Sequence, residues 1–327
     1  MSRNIHLNNK KKKENKDKGN ERVLTFAVPG GKVYINDYYV NSPDSFLNIS
    51  ITGRECDLMC RHCRKELLKD MSAAGDSKKL VELVEKYLKR TGDNSKNTGN
   101  GSLKGMLISG GFDSDGKLPV NNILPGVKEL KSKYPFLTIY IHTGFLNEDE
   151  AASLKNSGVD AVLVNLIGSQ KAIREVYNLK DRTYRDYLDT IKLLKGHGLK
   201  VSPHIIIGLE DGKLSDEFRT VKDALALGVD SLVFVVLKKA SRTADFISSK
   251  VPHDEIIRLV EYARELSGDV LLSFGCAKPS GRSRSLLEIG LIKAGIDSMA
   301  FPAEETIRFA VENKIAHTFE EKCCAIL

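Results

Sequence analysis

Residues 56–63 read C-D-L-M-C-R-H-C, so three thiols, Cys56, Cys60 and Cys63, fall within eight residues. The chain has six cysteines, and half of them stand here. Thiolates bind soft metals, either zinc or iron–sulfur clusters. A structural zinc site wants four closed ligands, usually from two separated pairs. No second pair lies nearby, and His62 sits between Cys60 and Cys63, where a simultaneous ligand role would be strained. Three thiolates can instead hold three irons of a 4Fe–4S cube and leave the fourth iron open to a substrate-like molecule. A three-cysteine zinc knuckle that recruits its fourth ligand from elsewhere is the other reading.

The elements that position this loop alternate regularly. Apolar runs predict strands at 46–52, 106–109, 137–142, 161–167, 200–207, 231–237, 270–275 and 298–301. Apolar residues at helical spacing predict helices at 78–90, 121–134, 148–156, 184–196, 214–226, 253–266, 284–294 and 303–313. The polar, Asn- and Gly-rich stretch 93–105 reads as a loop. The strands are continuous apolar runs, as in a parallel sheet covered on both faces. About eight strand–helix units in succession predict an α/β protein with a partial or full (β/α) TIM-type barrel of six to eight strands. An open doubly wound sheet is the alternative.

A barrel places chemistry at the C-terminal ends of its strands. The cysteine loop follows the first predicted strand, and Ser109-Gly110-Gly111 follows the second. His142-Thr143-Gly144 ends the third, and Asn165 precedes Gly168-Ser169 in the fourth. The fifth carries His204, Gly208 and Glu210, and the seventh ends in Gly275-Cys276-Ala277-Lys278. His142, His204 and Asn165 fall at the mouth if the strands keep phase. There they read either as ligand contacts or as buried layer residues. Lys278, Arg282 and Arg284 read as partners for a carboxylate or as solvated charge.

The bulk properties narrow the class. Apolar residues are 41% of the 327 and charged residues 28%, enough for a sizeable core. Of the net charge of +7, residues 1–20 carry +5, which leaves +2 for the rest. The folded part therefore lacks a nucleic-acid footprint. Residues 1–22 read as a disordered, basic, solubilising tail, 40–315 as the barrel, and 316–327 as a C-terminal tail. No stretch reads as a membrane span or a signal peptide, so a cytoplasmic location is expected. In a reducing compartment, clustered cysteines serve metals or catalysis sooner than disulfides. The ending C-A-I-L fits a geranylgeranylation pattern but reads as incidental.

The C-x3-C-x2-C spacing after a first barrel strand resembles the radical S-adenosylmethionine (SAM) superfamily. The resemblance implies a 4Fe–4S cluster on Cys56, Cys60 and Cys63, whose open iron chelates SAM. A single electron then cleaves SAM to methionine and a 5′-deoxyadenosyl radical. His62 occupies a usually aromatic position beside the adenine. Gly110-Gly111-Phe112 stands where the family has G-G-E, so the acidic residue is absent, and Asp113 or backbone carbonyls would replace it. Residues 205–210 loosely echo a family strand that packs on the adenine. The SAM site implied is His62, Ser109, Gly110, Gly111, His142, Asn165, His204 and Gly208.

Over about residues 46–315 the chain is most similar to the biotin-synthase-like group. The resemblance rests on S-I-T-G-x-x-C at 50–56, C-x-H-C at 60–63, L-I-S-G-G at 107–111, H-T-G at 142–144, P-H-I-x-x-G-L at 203–209 and G-C-A-K-P at 275–279. Some members form a two-subunit lipoyl synthase that inserts sulfur into an octanoyl group on a carrier protein. This implies a ferredoxin or flavodoxin reductant, a paralogous radical SAM subunit and a lipoyl-domain carrier as partners. Relatives take the sulfur from an auxiliary iron–sulfur cluster. Cys276, Cys323 and Cys324 are the remaining thiols for one, provided the tail folds back. Idle cysteines in a radical SAM enzyme of other chemistry, and a non-enzymatic iron–sulfur or zinc sensor, are the competing readings.

Overall fold

The computed structural model describes residues 22–91, 102–237, 250–281 and 283–325. The basic segment 1–21, most of the loop expected over 93–105, Arg282 and the last two residues of C-A-I-L lie outside the described residues.

Eleven strands form one sheet. In chain order they are β1 (Leu24–Ala27), β2 (Phe46–Ser50), β3 (Ser72–Ala73), β4 (Gly105–Ser109), β5 (Thr138–Thr143), β6 (Ala161–Leu166), β7 (Val201–Ile207), β8 (Ser231–Val236), β9 (Leu271–Phe274), β10 (Ser298–Ala300) and β11 (His317–Glu320). Their spatial order is β11-β1-β10-β9-β8-β7-β6-β5-β4-β2-β3, and every named pairing is parallel.

Nine helices occur among the described residues: α1 (Ser77–Thr91), α2 (Leu124–Lys133), α3 (Glu148–Ser157), α4 (Gln170–Glu175), α5 (Tyr184–Gly196), α6 (Glu217–Ala226), α7 (His253–Ser267), α8 (Arg284–Lys293) and α9 (Glu304–Glu312). Local signals set some starts. Asn147 and Glu150 form a capping box at α3, and Thr183 and Asp186 form one at α5.

Alternating strand residues feed two cores. Ile139, Ile141, Val162 and Val164 face the helices. Tyr140, Ala161 and Leu163 face inward, where they meet Ala27 of β1, Phe46 of β2, Val233 of β8 and Ala300 of β10. Strands so far apart in sheet order can share one cluster only because the sheet curls into a partial barrel.

The barrel expectation holds, and the sheet extends beyond residues 40–315 at both ends. β1 and β11 are short and were missed, because four-residue apolar stretches carry little period of their own. The segment read as a C-terminal tail adds β11 beside β1 and then turns inward. Cys324 and Ala325 are buried in the inner cluster, and Ser273 donates to the Cys324 carbonyl at 2.6 Å. Glu321 is fully buried, accepts from Tyr39 at 2.9 Å and lies 3.9 Å from Lys104 beside β4. The tail thus ties the two sides of the curled sheet together.

Candidate functional site

β2 delivers the chain to the mouth, where residues 51–65 form an irregular loop held from two sides. Strand β4 leads into Gly110-Gly111-Phe112. The Gly111 amide donates to Thr52 Oγ1 at 2.7 Å, and the Asp57 amide donates to the Phe112 carbonyl at 2.8 Å. A Cβ on Gly111 would fall 1.9 Å from the Glu55 carbonyl and 2.4 Å from Cys56 Cβ. Glycine is therefore required here by close approach, which single-sequence reading could not separate from an ordinary turn.

The second hold comes from residues 176–178, just after α4. The Arg61 amide donates to the Val176 carbonyl at 2.9 Å, and Asn178 Nδ2 donates to the Leu58 carbonyl at 2.6 Å. Between them the Tyr177 ring packs on His62, with centroids 5.0 Å apart. No motif marks these three residues in the sequence; only the fold brings them to the loop. Within the loop, Met59, Arg64 and Lys65 adopt left-handed φ values of 44°, 46° and 57°. Such strain in non-glycine residues persists where surrounding structure over-determines it.

The donor set fits a multi-iron cluster. Burial, followed by the charges of Cys56 and Cys63, pushes the Cys60 thiol far above the ordinary thiol range, and burial raises Cys63 as well. Three thiolates can be held here only with positive metal charge to offset them. Tyr177 is 5% exposed, and its hydroxyl has no hydrogen-bond partner among the described residues. A buried orphan hydroxyl beside Cys60 and Cys63 is the polar environment that cluster sulfurs would satisfy.

Across the mouth lie His142 on β5, Asn165 on β6 and His204 on β7. Pairing register sets Asn165 beside His204, and His142 Nε2 lies 3.3 Å from Asn165 Oδ1. The two histidine rings are 5.5 Å apart, and Phe112 packs edge-on against His142 at 6.3 Å. The three side chains therefore lie together, and this trio connects through Phe112 to the cysteine loop. Burial holds His142 down to about 4; burial and then His142 hold His204 down to about 3. Both rings are neutral, and His204 Nδ1 has no partner among the described residues.

Ser109 ends β4, opposite Ser50. Gly208 follows β7 with φ 87°, and its amide donates to the Glu217 carboxylate at 3.0 Å. Glu217 is a buried polar residue on the inner face of α6, and sequence reading passed over it. Ser169 donates to Glu210 at 2.5 Å, tying the β6 exit to the β7 exit.

Lys278 and Arg284 do not wait at the mouth for a carboxylate, nor are they solvated. Lys278 is buried and donates to Glu288 at 2.7 Å and to the Ala300 carbonyl. Arg284 Nε reaches the same Glu288 oxygen at 2.7 Å, and Thr306 and the Ala303 amide fill the other. The reason is that a lysine at this buried strand exit needs an internal anion, and α8 supplies one.

Cys276, Cys323 and Cys324 converge. Ser273 of β9 donates to the Cys324 carbonyl at 2.6 Å, three residues before Cys276, and Cys323 is next to Cys324 in the chain. The neighbouring thiols raise Cys324, while Cys276 is held below the ordinary thiol range by Cys324 and then by Lys278 and Lys32. Cys276 is not the buried, inert thiol that was the bland alternative. It is exposed, just beyond the end of β9. Nor is the terminal pair frayed, since Cys323 is half-buried and Cys324 buried, which also closes Cys324 to prenylation.

A curled parallel sheet with a three-cysteine loop at its mouth defines a partial (β/α) barrel built to hold a cluster against a small polar ligand. The sequence pattern of the Radical SAM superfamily matches residues 50–224, more than half of the chain. The chain belongs to the radical SAM superfamily, and its cofactors are a 4Fe–4S cluster and SAM.

It is similar to curated biotin synthases. It shares 34% identity over 95 residues with that of Lysinibacillus sphaericus (29% of this chain, 28% of that one). It shares 25% over 219 residues with that of Cutibacterium acnes (65% and 56%), and 25% over 235 residues with that of Schizosaccharomyces pombe (70% and 62%). The chain thus spans less than two thirds of these relatives' lengths.

Two solved structures share the fold. The hydrogenase maturase HydG of Carboxydothermus hydrogenoformans has a TM-score of 0.56 at 13% identity, covering 91% of this chain and 68% of that one. Methylornithine synthase has a TM-score of 0.53 at 11% identity, covering 83% and 72%. No helix among the described residues is long and apolar enough to cross a membrane.

Proposed function

We propose that this chain directs hydrogen abstraction at an unactivated carbon and inserts sulfur there. Cys56, Cys60 and Cys63 would hold the SAM-binding cluster, and Cys276, Cys323 and Cys324 a second, sulfur-donating cluster. The observation that carries the reading is that the C-terminal segment brings Cys323 and Cys324 back against β9, with Ser273 bonded to the Cys324 carbonyl at 2.6 Å, three residues before Cys276.

When bound, the first cluster supplies the electron that splits SAM to a 5′-deoxyadenosyl radical. The chain's own residues bind and orient. Gly110 and Gly111 leave the room in which the cysteine loop seats against the exit of β4. His142 and His204, held neutral, give or take hydrogen bonds without adding charge, and Asn165 fixes the His142 ring. Ser109 and Gly208 sit at strand exits where a ribose or adenine would lie, and His62 presents its ring face beside Tyr177.

Resemblance to the biotin-synthase-like group supports an octanoyl group on a carrier lysine as substrate. The chain would then act as one subunit of a lipoyl synthase, paired with a paralogous chain and reduced by ferredoxin or flavodoxin.

Anaerobic reconstitution tests this. Two clusters give about eight irons per chain, and a Cys276→Ser variant falls to about four. A native content of about four irons, with 5′-deoxyadenosine still formed, leaves a radical SAM enzyme without its own sulfur source. Zinc without iron would remove the reading altogether. Adding an octanoylated lipoyl-domain peptide, with and without the paralogous chain, tests the substrate.

A further inference from the structure

The N-terminal ends of β5, β6 and β7, at the opposite end of these strands from the cysteine loop, surround a cavity of about 540 Å³. Cys323 forms part of its wall, together with Tyr140, Lys155, Lys200, Lys322 and Glu320. The wall is cationic. Asp160, also at the cavity, is already engaged by Lys131 at 3.0 Å and by the Ile139 amide at 2.7 Å. That leaves Glu320 as the uncommitted acid against three lysines. Lys200 and Lys322 have no ion pair among the described residues, and Lys155 Nζ donates only to the Gly198 carbonyl, at 2.7 Å. Cys323 faces this cavity, and Cys324, next in the chain, is buried against Ser273 of β9, the strand that leads to Cys276.

We propose that this cavity is a second entrance to the barrel, binding hydrosulfide next to Cys323. The proposal rests on the sulfur-insertion reading above. Mass balance motivates it: every sulfur atom that leaves in product must be replaced from solution. The mouth is occupied by SAM and substrate during turnover. A passage at the other end, lined by lysines and ending on a thiol, lets resupply proceed without emptying the mouth. Lysine ammonium groups concentrate small anions in such a recess.

Two variants probe it. Val159→Trp fills the cavity, and Lys200→Glu reverses an exposed charge at its wall without touching the core. In the first measurement, cluster-free full-length chain is labelled with a negatively or a positively charged methanethiosulfonate, and modification of Cys323 is followed by peptide mass. The anionic reagent is expected to react faster, by about tenfold at low salt. Lys200→Glu should invert that preference, and Val159→Trp should slow both reagents.

In the second, iron-loaded protein is exposed to ³⁵S-sulfide in one arm, with ³⁵S-cysteine, whose carbon–sulfur bond this protein has no means to break, as the control arm. Label entering acid-labile sulfide is measured against a Cys324→Ser variant. Label is expected from sulfide and not from cysteine, and Val159→Trp should suppress it while leaving iron content unchanged. Labelling of Cys323 that ignores reagent charge and is unaltered in both variants overturns the entrance, whatever the iron content. Iron content equal to that of Cys324→Ser, with charge-selective labelling intact, instead overturns the second cluster and leaves the cavity as an anion site.

Discussion

An alanine at position 111 would drive its methyl group into the Glu55 carbonyl and the Cys56 side chain, so Cys56, the first of the proposed cluster ligands, must move. Gly111→Ala is expected to lose most of its iron loading while remaining folded, measured by iron content and far-UV circular dichroism after anaerobic reconstitution. Gly196→Ala is the control. Its Cβ meets nothing within 4 Å at the end of α5, and it should keep full iron loading with a gain of about 0.5–1 kcal/mol. Tyr177 offers a second test. In the cluster-free chain its buried hydroxyl is a cost, so Tyr177→Phe should raise stability by about 1 kcal/mol in urea titration. In the iron-loaded chain the gain should vanish, because a hydrogen bond to the cluster would then be lost. A gain of equal size in both states would sink the assignment of that hydroxyl to the cluster site.

At the scale of elements, α8 is fixed to the exit of β9 by charge as well as by packing. Glu288 is fully buried between Lys278 and Arg284. Removing it as Glu288→Ala strands a buried ammonium and should cost about 3–5 kcal/mol, read from denaturant midpoints. Lys278→Met with Glu288→Gln should recover much of that loss.

The strand–helix alternation from residue 46 onward was legible because long apolar runs and long amphipathic stretches each carry a strong period. The cysteine spacing was legible because thiols are rare and chemically unambiguous. The flanking strands β1 and β11 were not, since their burial depends on each other and on β10, and no local pattern encodes a partner at the far end of the chain. The same limit hid Val176–Asn178 and Glu217, whose importance is a matter of what the fold sets beside them. It also misassigned Lys278, whose type suggested a ligand contact until its internal anion was seen.

For the whole molecule, His142 and His204 set an acid limit. In the fold they are held down to about 4 and about 3, against 6.5 for an ordinary histidine. The unfolded chain therefore binds these protons first as pH falls. Stability is fully present above pH 6.5 and is lost as pH drops toward 4, by up to about 1.4 kcal/mol per unit for each ring. Urea midpoints of the cluster-free chain at about pH 7.5 and about pH 5 should show this slope, and His204→Gln should flatten it. An unchanged slope in that variant would assign the acid sensitivity elsewhere.

The sheet order also dictates a schedule of assembly. β1 emerges from the ribosome first, yet its two neighbours, Ser298–Ala300 and His317–Glu320, are translated only after all the other strands. Its backbone must wait unpaired through synthesis of the rest of the barrel, while the iron-binding loop at 56–63 is complete long before. The interior thiols cannot be carried into place until β11 docks. The cysteine loop and the proposed second site thus mature at different moments, and a chain halted before residue 317 should load iron at the first without the second.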